Sequence, residues 1–166
     1  MQYMKDMERV NQVLEHPRFQ IYKEEIKKWE EDRPFCGHDV SHLLDVARIA
    51  YILSLEEACE VSKEFIYTAA LLHDIGRPEQ YADGTPHQQA SVKIADGVLK
   101  DCGFDAEEAA AILSAIGNHR DAARASKTPL DWLIYRADKL SRGCYVCDVE
   151  EICDWADAKK NQVLTY

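Results

Sequence analysis

The sequence predicts an all-α protein, a single-domain bundle of about six to seven helices. Apolar residues recur at intervals of three and four in one segment after another, which is the spacing of a helix with one buried face. No run rich in Val, Ile and Thr alternates with polar residues as a half-buried strand would. A chain of 166 residues is also long enough to bury one substantial core.

The first two helices are predicted over residues 3–14 and 18–31, where charged and apolar side chains alternate at helical spacing. His16 and Pro17 separate them, because proline disrupts the interior of a helix. Residues 1–34 are therefore expected to pack as amphipathic helices on a core formed by residues 35–142.

The third predicted helix follows Phe35 and runs to about Leu53. Its inner face carries His42 in line with Val46, so this histidine should point toward the core. His38 lies one turn earlier on the same side. A lone interior histidine is most simply explained as a hydrogen-bonded core residue.

The fourth predicted helix extends from Lys63 to His73, with Ser62 as its N-cap, and has little polar face. It should be central and buried. The helix ends in the doublet His73-Asp74, which is either a helix cap or a pair of metal ligands, and the doublet alone leaves both open. Residues 77–85 contain proline, aspartate and glycine and are predicted to form a loop.

Three later helices are predicted from the capping residues at their N-termini. Thr85-Pro86 and Thr128-Pro129 each place a capping residue before proline, and residues 105–108 resemble a capping box. Each helix carries a ligand-type side chain where an apolar one would be expected: His87, His119 and Asp138.

Five separate segments therefore bring a polar group to the predicted core, and burying all of these groups would be costly unless they shared a metal ion. Imidazoles with carboxylates suit Zn, Fe, Mn, Co or Ni better than Ca or Mg. The donors suffice for one or two ions, with Asp74 as the natural bridge. The predicted ligands are His42, His73, Asp74, His87, His119 and Asp138.

The ordered pattern H, HD, H, H and D, from Phe35 to Arg142, resembles the HD superfamily of metal-dependent phosphohydrolases. The resemblance implies an all-α fold and a basic metal site made by His42, His73, Asp74 and Asp138. His87 and His119 match the positions that mark the two-metal members. The lysine common after the doublet's glycine is replaced here by Arg77, which keeps the charge but changes its geometry.

This resemblance implies hydrolysis of a phosphomonoester or phosphodiester, of nucleotide type, by metal-activated water. Asp74, Arg77 and His38 are the candidate catalytic residues, and Arg77, Lys139 and Arg142 are candidates to bind phosphate. Two alternatives stay open: an HD-type di-iron oxygenase with the same ligand set, and a non-catalytic nucleotide-binding or sensor module.

The charge balance narrows the range of partners. The chain has 30 acidic and 20 basic residues, a formal charge of −10, which argues against a nucleic-acid duplex as its ligand. No stretch approaches the roughly 20 apolar residues of a membrane helix, and no signal peptide is evident. A cytoplasmic protein with a small anionic, phosphate-containing substrate is expected. The oligomeric state stays open, with a homo-oligomer as one alternative.

Residues 143–166 form a predicted cysteine-containing tail. Cys144, Cys147 and Cys153 follow a C-x2-C-x5-C pattern, and Cys36 lies just before the first histidine segment. If these segments meet, four thiolates could hold a structural zinc or an iron–sulfur cluster. Free or partly buried thiols in a short tail are an equally good interpretation of the spacing.

Overall fold

The computed structural model describes residues 7–166 and is all-helical over them, as predicted. Its α-helices are α1 (Glu8–Glu15), α2 (Pro17–Trp29), α3 (Val40–Glu56), α4 (Lys63–Leu72), α5 (Arg77–Asp83), α6 (His87–Asp101), α7 (Ala106–Asn118), α8 (Ala122–Ala125) and α9 (Pro129–Leu140). Three 3-10 helices follow, at Cys144–Val146, Glu150–Ile152 and Asp157–Lys159. The part of the first predicted helix from residue 3 to residue 6 lies outside the described residues.

Helix α4 is the centre of the bundle. It packs against α3, α7, α9 and α1, and Ile66 and Leu71 are among its fully buried side chains. Side chains from α1 and α2, including Val10 and Phe19, belong to the same hydrophobic core. The two residues that follow α4, His73 and Asp74, are buried as well.

Capping groups fix where the site-bearing helices begin. The Asp39 carboxylate accepts a hydrogen bond from the His42 backbone N–H at 3.0 Å and caps α3. The predicted capping box of α7 is present, with Asp105 and Glu108 bonding reciprocally. Thr128 caps α9 as expected, whereas Ser62 occupies the N-cap position of α4 without a side-chain hydrogen bond.

The prediction of a loop over residues 77–85 was wrong. Arg77–Asp83 is a short helix, with Pro78 in its first turn and Gly84 in the left-handed conformation (φ 81°) at its end. Proline is compatible with the first turn of a helix, and glycine is the usual residue where the chain leaves one, so the two residues bracket a helix instead of breaking it. The following helix also begins later than predicted, with Pro86 at the N-cap position in place of Thr85.

Among residues 7–166, no helix has both the length and the apolar character needed to cross a membrane.

Candidate metal centre

Most of the predicted ligands lie at helix ends that meet inside the bundle. His73 and Asp74 follow the last residue of α4, His87 is the first residue of α6, and His119 follows the last residue of α7. The remaining two, His42 and Asp138, project from the first turn of α3 and the last turn of α9. The structure thus brings all six of these side chains together in the interior of the bundle.

The first group of ligand-type atoms is formed by His42, His73, Asp74 and Asp138. Asp74 Oδ2 lies 3.1 Å from His73 Nε2 and 3.5 Å from His42 Nε2. Asp138 Oδ1 lies 3.5 Å from His73 Nε2 and 3.4 Å from His42 Nε2. Two imidazole nitrogens and two carboxylate oxygens therefore surround one point, as the ligands of a transition-metal ion do.

The second group consists of Asp74, His87 and His119. Asp74 Oδ1, the other oxygen of the same carboxylate, lies 3.1 Å from His87 Nε2 and 3.8 Å from His119 Nε2. The two histidine Nε2 atoms are 3.0 Å apart. Each oxygen of Asp74 thus faces a different pair of histidines.

Two buried atoms show that these residues fit a metal ion. His73 Nε2 and Asp74 Oδ2 are both buried, and neither has a hydrogen-bond partner. A buried polar atom left without a partner destabilises the folded state by about 1–3 kcal/mol, and more when the group is charged. A divalent cation between the two atoms would satisfy both of them at once.

Hydrogen bonds at the far side of the rings fix the orientation of three histidines. His73 Nδ1 lies 2.6 Å from the carbonyl oxygen of Ala70, and His119 Nδ1 lies 2.7 Å from that of Ile116. His87 Nδ1 lies 2.8 Å from the side-chain oxygen of Gln80. Because each acceptor holds a proton on Nδ1, Nε2 is the nitrogen that would bind a metal, which would displace any proton there, as in most metal-binding histidines.

The surrounding charges set the ionisation of the centre. Burial raises the pKa of Asp74, but the charges of His73 and Arg77 outweigh burial and hold this pKa well below its usual range. Burial also lowers the pKa of His73, yet the Asp74 and Asp138 carboxylates raise it to about 10. Burial, with the charge of His73, lowers the pKa of His119 to about 3.

Two arginines contact the ligands directly. Arg77 Nε donates to Asp74 Oδ1 at 3.0 Å, and its Nη1 donates to Gln80 at 3.2 Å. Arg142 donates to the carbonyl oxygen of Gly37 at 2.8 Å, and its Nη2 lies 3.3 Å from His42 Nε2.

His38 lies beside the two ligand groups without belonging to either of them. Its Nε2 is 4.0 Å from Asp74 Oδ2, and its Nδ1 is hydrogen-bonded to Glu30. Glu30 also accepts a hydrogen bond from the Tyr81 hydroxyl at 2.6 Å and another from the His38 backbone N–H at 2.8 Å. Burial lowers the pKa of His38, so the ring is neutral near pH 7 and can take up a proton at Nε2.

Replacing Glu30 with glutamine should weaken the fold more at pH 7 than at pH 3, where part of the contribution of Glu30 remains. Burial raises the pKa of Glu30, but hydrogen bonds from His38 and Tyr81 lower it to about 2 from an ordinary value of 4.5. The ionised form therefore stabilises the fold above about pH 4.5, and this contribution is lost as the pH falls toward 2. The lowering of the Glu30 pKa from 4.5 to about 2 corresponds to about 3 kcal/mol in the free energy of unfolding at pH 7. Screening by solvent reduces this contribution to about 2 kcal/mol.

Urea unfolding of the wild type and of Glu30→Gln at pH 7 and pH 3 measures this difference. Glu31→Gln is the matched control, because Glu31 is the exposed neighbour of Glu30. An equal loss of stability at both pH values would show that the ionisation of Glu30 does not stabilise the fold.

A cavity of about 580 Å³ opens onto the centre. His38, His119 and Asp138 line it. Its basic lining residues are Arg33, Arg77, Arg120, Lys139, Arg142, Lys159 and Lys160. Its acidic lining residues are Asp138, Glu150 and Asp154, so seven basic side chains face three acidic ones. An excess of basic residues stands out in a chain whose formal charge is −10.

All four cysteines of the predicted thiolate site line the same cavity: Cys36, Cys144, Cys147 and Cys153. Between residues 7 and 166, however, no three of these thiols come within 4.8 Å of one another. A thiolate-bound metal at this position stays a prediction.

Sequence reasoning missed the residues that orient the ligands. Gln80 lies in the segment predicted as a loop. Gly84 is the signal that could have identified this segment as a helix, because glycine is the usual residue where a helix ends. Glu30 lies on the residues just after α2, and no pattern in the sequence links it to His38. The hydrogen bonds to the carbonyl oxygens of Ala70 and Ile116 have one signal in the sequence: each of these residues lies three positions before a candidate ligand histidine.

Comparison with known proteins agrees with this geometry. Residues 39–143 match the model of the HD domain family. The chain is 43% identical over 160 residues to an uncharacterized protein of Clostridium beijerinckii, covering 96% of this chain and 100% of that protein. It is 31% identical over 112 residues to ribonuclease Y 1 of Pediococcus pentosaceus, covering 66% of this chain but 19% of the ribonuclease.

A solved structure has a fold similar to that of this chain. It is that of a predicted HD superfamily hydrolase from an uncultured Thermotogales bacterium, which shares 26% identity with this chain at a TM-score of 0.64. The match covers 86% of this chain and 78% of that one. The family model alone spans well over half of the 166 residues, and the histidine and aspartate clusters lie within the matched range. The chain belongs to the HD domain family.

Proposed function

We propose that this protein is a metal-dependent phosphohydrolase that hydrolyses a phosphomonoester or phosphodiester of nucleotide type. One observation carries the proposal: two groups of metal ligands share Asp74 beside a cavity lined by basic side chains. Ligands of this kind bind catalytic metals, and the basic residues match the negative charge of a phosphate ester.

Two divalent transition-metal ions would be held, one by each ligand group, with Asp74 between them. When bound, such ions supply positive charge that activates water and neutralises the oxygens of the phosphate. The proposed ligands of the first ion are His42, His73, Asp74 and Asp138, and those of the second are Asp74, His87 and His119.

Lys139 is the cation best placed to bind the substrate's phosphate. Its ammonium group donates to the carbonyl oxygens of His119 and Tyr135, both at 3.3 Å, and lies over the Tyr135 ring. The side chain is partly exposed in the cavity, so it can move toward a phosphate oxygen. Arg77 and Arg142 already contact the ligands Asp74 and His42, so they position the centre as well as adding positive charge.

His38 is proposed to hold or release a proton at Nε2 during the reaction. Its other nitrogen is held by Glu30, which fixes the ring with Nε2 toward Asp74. A neutral imidazole in this position accepts a proton and can later return it to the leaving oxygen of the substrate. His38 therefore acts beside the ligands and not as one of them.

The shape of the cavity supports a substrate larger than inorganic phosphate. Its volume of about 580 Å³ falls within the range of roughly 300–1,000 Å³ typical of small-molecule sites. Phe35, Tyr135 and Trp155 line it together with the basic residues and offer faces on which a nucleobase could stack. The local match to a ribonuclease supports a nucleotide-type ester as well. A cytoplasmic location and assembly into a homo-oligomer stay predictions.

Anaerobic purification followed by elemental analysis and an activity screen tests the proposal. The screen pairs an aryl phosphate, an aryl phosphodiester and nucleotides with Mn, Co, Ni, Fe or Zn. Turnover without O₂ is expected with at least one ion. Consumption of O₂ by an iron-loaded protein, with no phosphatase activity, would establish the oxygenase alternative instead. Tight nucleotide binding with no product under any metal would indicate a sensor.

Replacing Lys139 with methionine should raise KM by about 10- to 150-fold while changing kcat less. The variant keeps the apolar stem and loses a charged hydrogen bond to phosphate, worth about 1.5–3 kcal/mol. Steady-state kinetics on the best substrate from the screen measures the effect. Lys93→Met is the control, since Lys93 is an exposed lysine on α6 that does not line the cavity. An unchanged KM, or a loss of bound metal, would refute a substrate-binding role for Lys139.

A further inference from the structure

The C-terminal tail, residues 143–166, is held in place by very little apolar packing. It has three short 3-10 helices and no buried residue. Several of its large apolar side chains are exposed, among them Val146 (74%) and Ile152 (67%). Its ties to the bundle are polar: Asn161 donates to the carbonyl oxygens of Lys139 and Arg142, both at 2.7 Å. With this little packing, the tail still lines one side of the cavity.

The cysteines of the tail are placed by its short helices. Cys144 and Cys147 stand at either end of one 3-10 turn, and the backbone N–H of Cys147 bonds to the carbonyl of Cys144 at 3.2 Å. Since such a helix has three residues per turn, side chains three positions apart lie on the same side. Cys153 directly follows the next 3-10 helix. Cys36 also lines the cavity and comes from the segment just before α3.

We propose that Cys36, Cys144, Cys147 and Cys153 bind a second metal centre through four thiolates. All four line one cavity, and they come from two chain segments more than 100 residues apart. The other two cysteines, Cys59 and Cys102, do not line it. Bound metal would tie the tail to the segment before α3 and so close one side of the catalytic cavity.

The surrounding charges suit an anionic centre. Four thiolates are more negative than the charge of one divalent ion or one cubane cluster can balance. Lys160 lines the same cavity but is already paired with Glu150 at 2.9 Å. The other cations of this part of the lining are Arg33 and Lys159, and Arg33 donates to the carbonyl oxygen of Cys36 at 3.0 Å. These cations would offset the remaining negative charge, which a set of unligated neutral thiols does not require.

The proposed occupant is an iron–sulfur cluster, because it would need less inward movement of the thiols than one zinc ion. One tetrahedral zinc ion holds its four sulfur ligands about 3.8 Å apart, given zinc–sulfur bonds of about 2.3 Å. Across residues 7–166, no three of the thiols lie within 4.8 Å of one another. A cluster that binds one thiolate at each of four iron atoms separates the sulfurs more widely than zinc does. Both occupants use the same four thiolates.

Metal and sulfide analysis of the full chain, purified without oxygen, tests the proposal. We expect acid-labile sulfide with iron in the wild type, and loss of both the sulfide and its associated iron in Cys144→Ser and Cys147→Ser. Cys59→Ser is the matched control and should keep them. Zinc that disappears in the same two variants, without sulfide, would also support the four-thiolate site and would identify its occupant.

A second measurement does not depend on whether the variants fold. X-ray absorption at the metal edge of the wild-type protein should show sulfur ligands in addition to nitrogen and oxygen. Metal with nitrogen and oxygen ligands only would overturn the proposal, as would metal content unchanged in the cysteine variants. The test is also separate from phosphohydrolase activity, because Asp74→Ala should keep its sulfur-bound metal after turnover is lost.

Discussion

Replacing Asp74 with alanine should remove the metal held by both histidine groups and lower turnover by at least about 1,000-fold, or about 4 kcal/mol in the activation barrier. Asp74 is the one residue that belongs to both ligand groups, with Oδ2 facing His73 and Oδ1 facing His87. Its loss takes a ligand from each ion and leaves mutually repelling imidazoles in a buried site. Elemental analysis and the phosphatase assay measure the two effects.

The matched control for this variant is Asp131→Ala. Asp131 is also a buried carboxylate, but its hydrogen bonds come from Ser114 and Asn118 and it is in neither ligand group. This variant should lose some stability and keep its metal. If Asp74→Ala kept full activity without metal, the proposed metal-dependent function would be wrong. If it bound both ions normally, the assignment of Asp74 as the bridging residue would be wrong.

The sequence could place the candidate metal ligands on helices because a polar residue in an apolar face is a strong local signal. His42 in line with Val46 and Asp138 following Ala137 both interrupt buried faces, and the structure brings these two side chains within 3.4 Å of each other. Such a signal does not depend on the tertiary fold. It identifies which groups enter the core before their partners are known.

The residues that hold the ligands in position carry no such signal. Gln80 and Glu30 are polar residues on partly exposed segments, and they acquire their roles only when α5 and α2 meet the ends of α6 and α3. The short helix α5 was also not predicted, because Pro78 and Gly84 are residues that usually interrupt helices. Its structure depends on packing against α2 and α6, which local sequence propensity does not include.

Gly76→Ala should destabilise the protein by about 3 kcal/mol or more, because the alanine methyl group has no space. A Cβ at Gly76 would lie 2.4 Å from the backbone nitrogen of Ser91 and 2.5 Å from the carbonyl oxygen of His87. Both are main-chain atoms of α6 and cannot turn aside as a flexible side chain does. The glycine therefore allows α6 to approach the turn after the His73-Asp74 doublet.

The same substitution should weaken metal binding by the second group more than by the first. To make room for the methyl group, the start of α6 must move away from Gly76, and His87 must move with it. His87 Nε2 lies 3.1 Å from Asp74 Oδ1, so a shift of even half an ångström changes the distance between two ligands of one ion. The first group contains no residue of α6. Urea unfolding and metal titration of the purified variant measure the two effects separately.

Gly117→Ala is the matched control for Gly76→Ala, because Gly117 is also near the site but has space for a methyl group. It lies inside α7, two residues before His119, and a Cβ there would meet only Val92 Cγ2 at 3.4 Å. Alanine in the middle of a helix is favoured over glycine by about 0.5–1 kcal/mol, and by less in the last turn where Gly117 lies, so this variant should be at least as stable as the wild type. Equal stability of the two variants would refute the close-approach role of Gly76. Loss of stability in Gly76→Ala alone would explain why a glycine follows the doublet: it lets the helix that carries His87 come close enough to share Asp74.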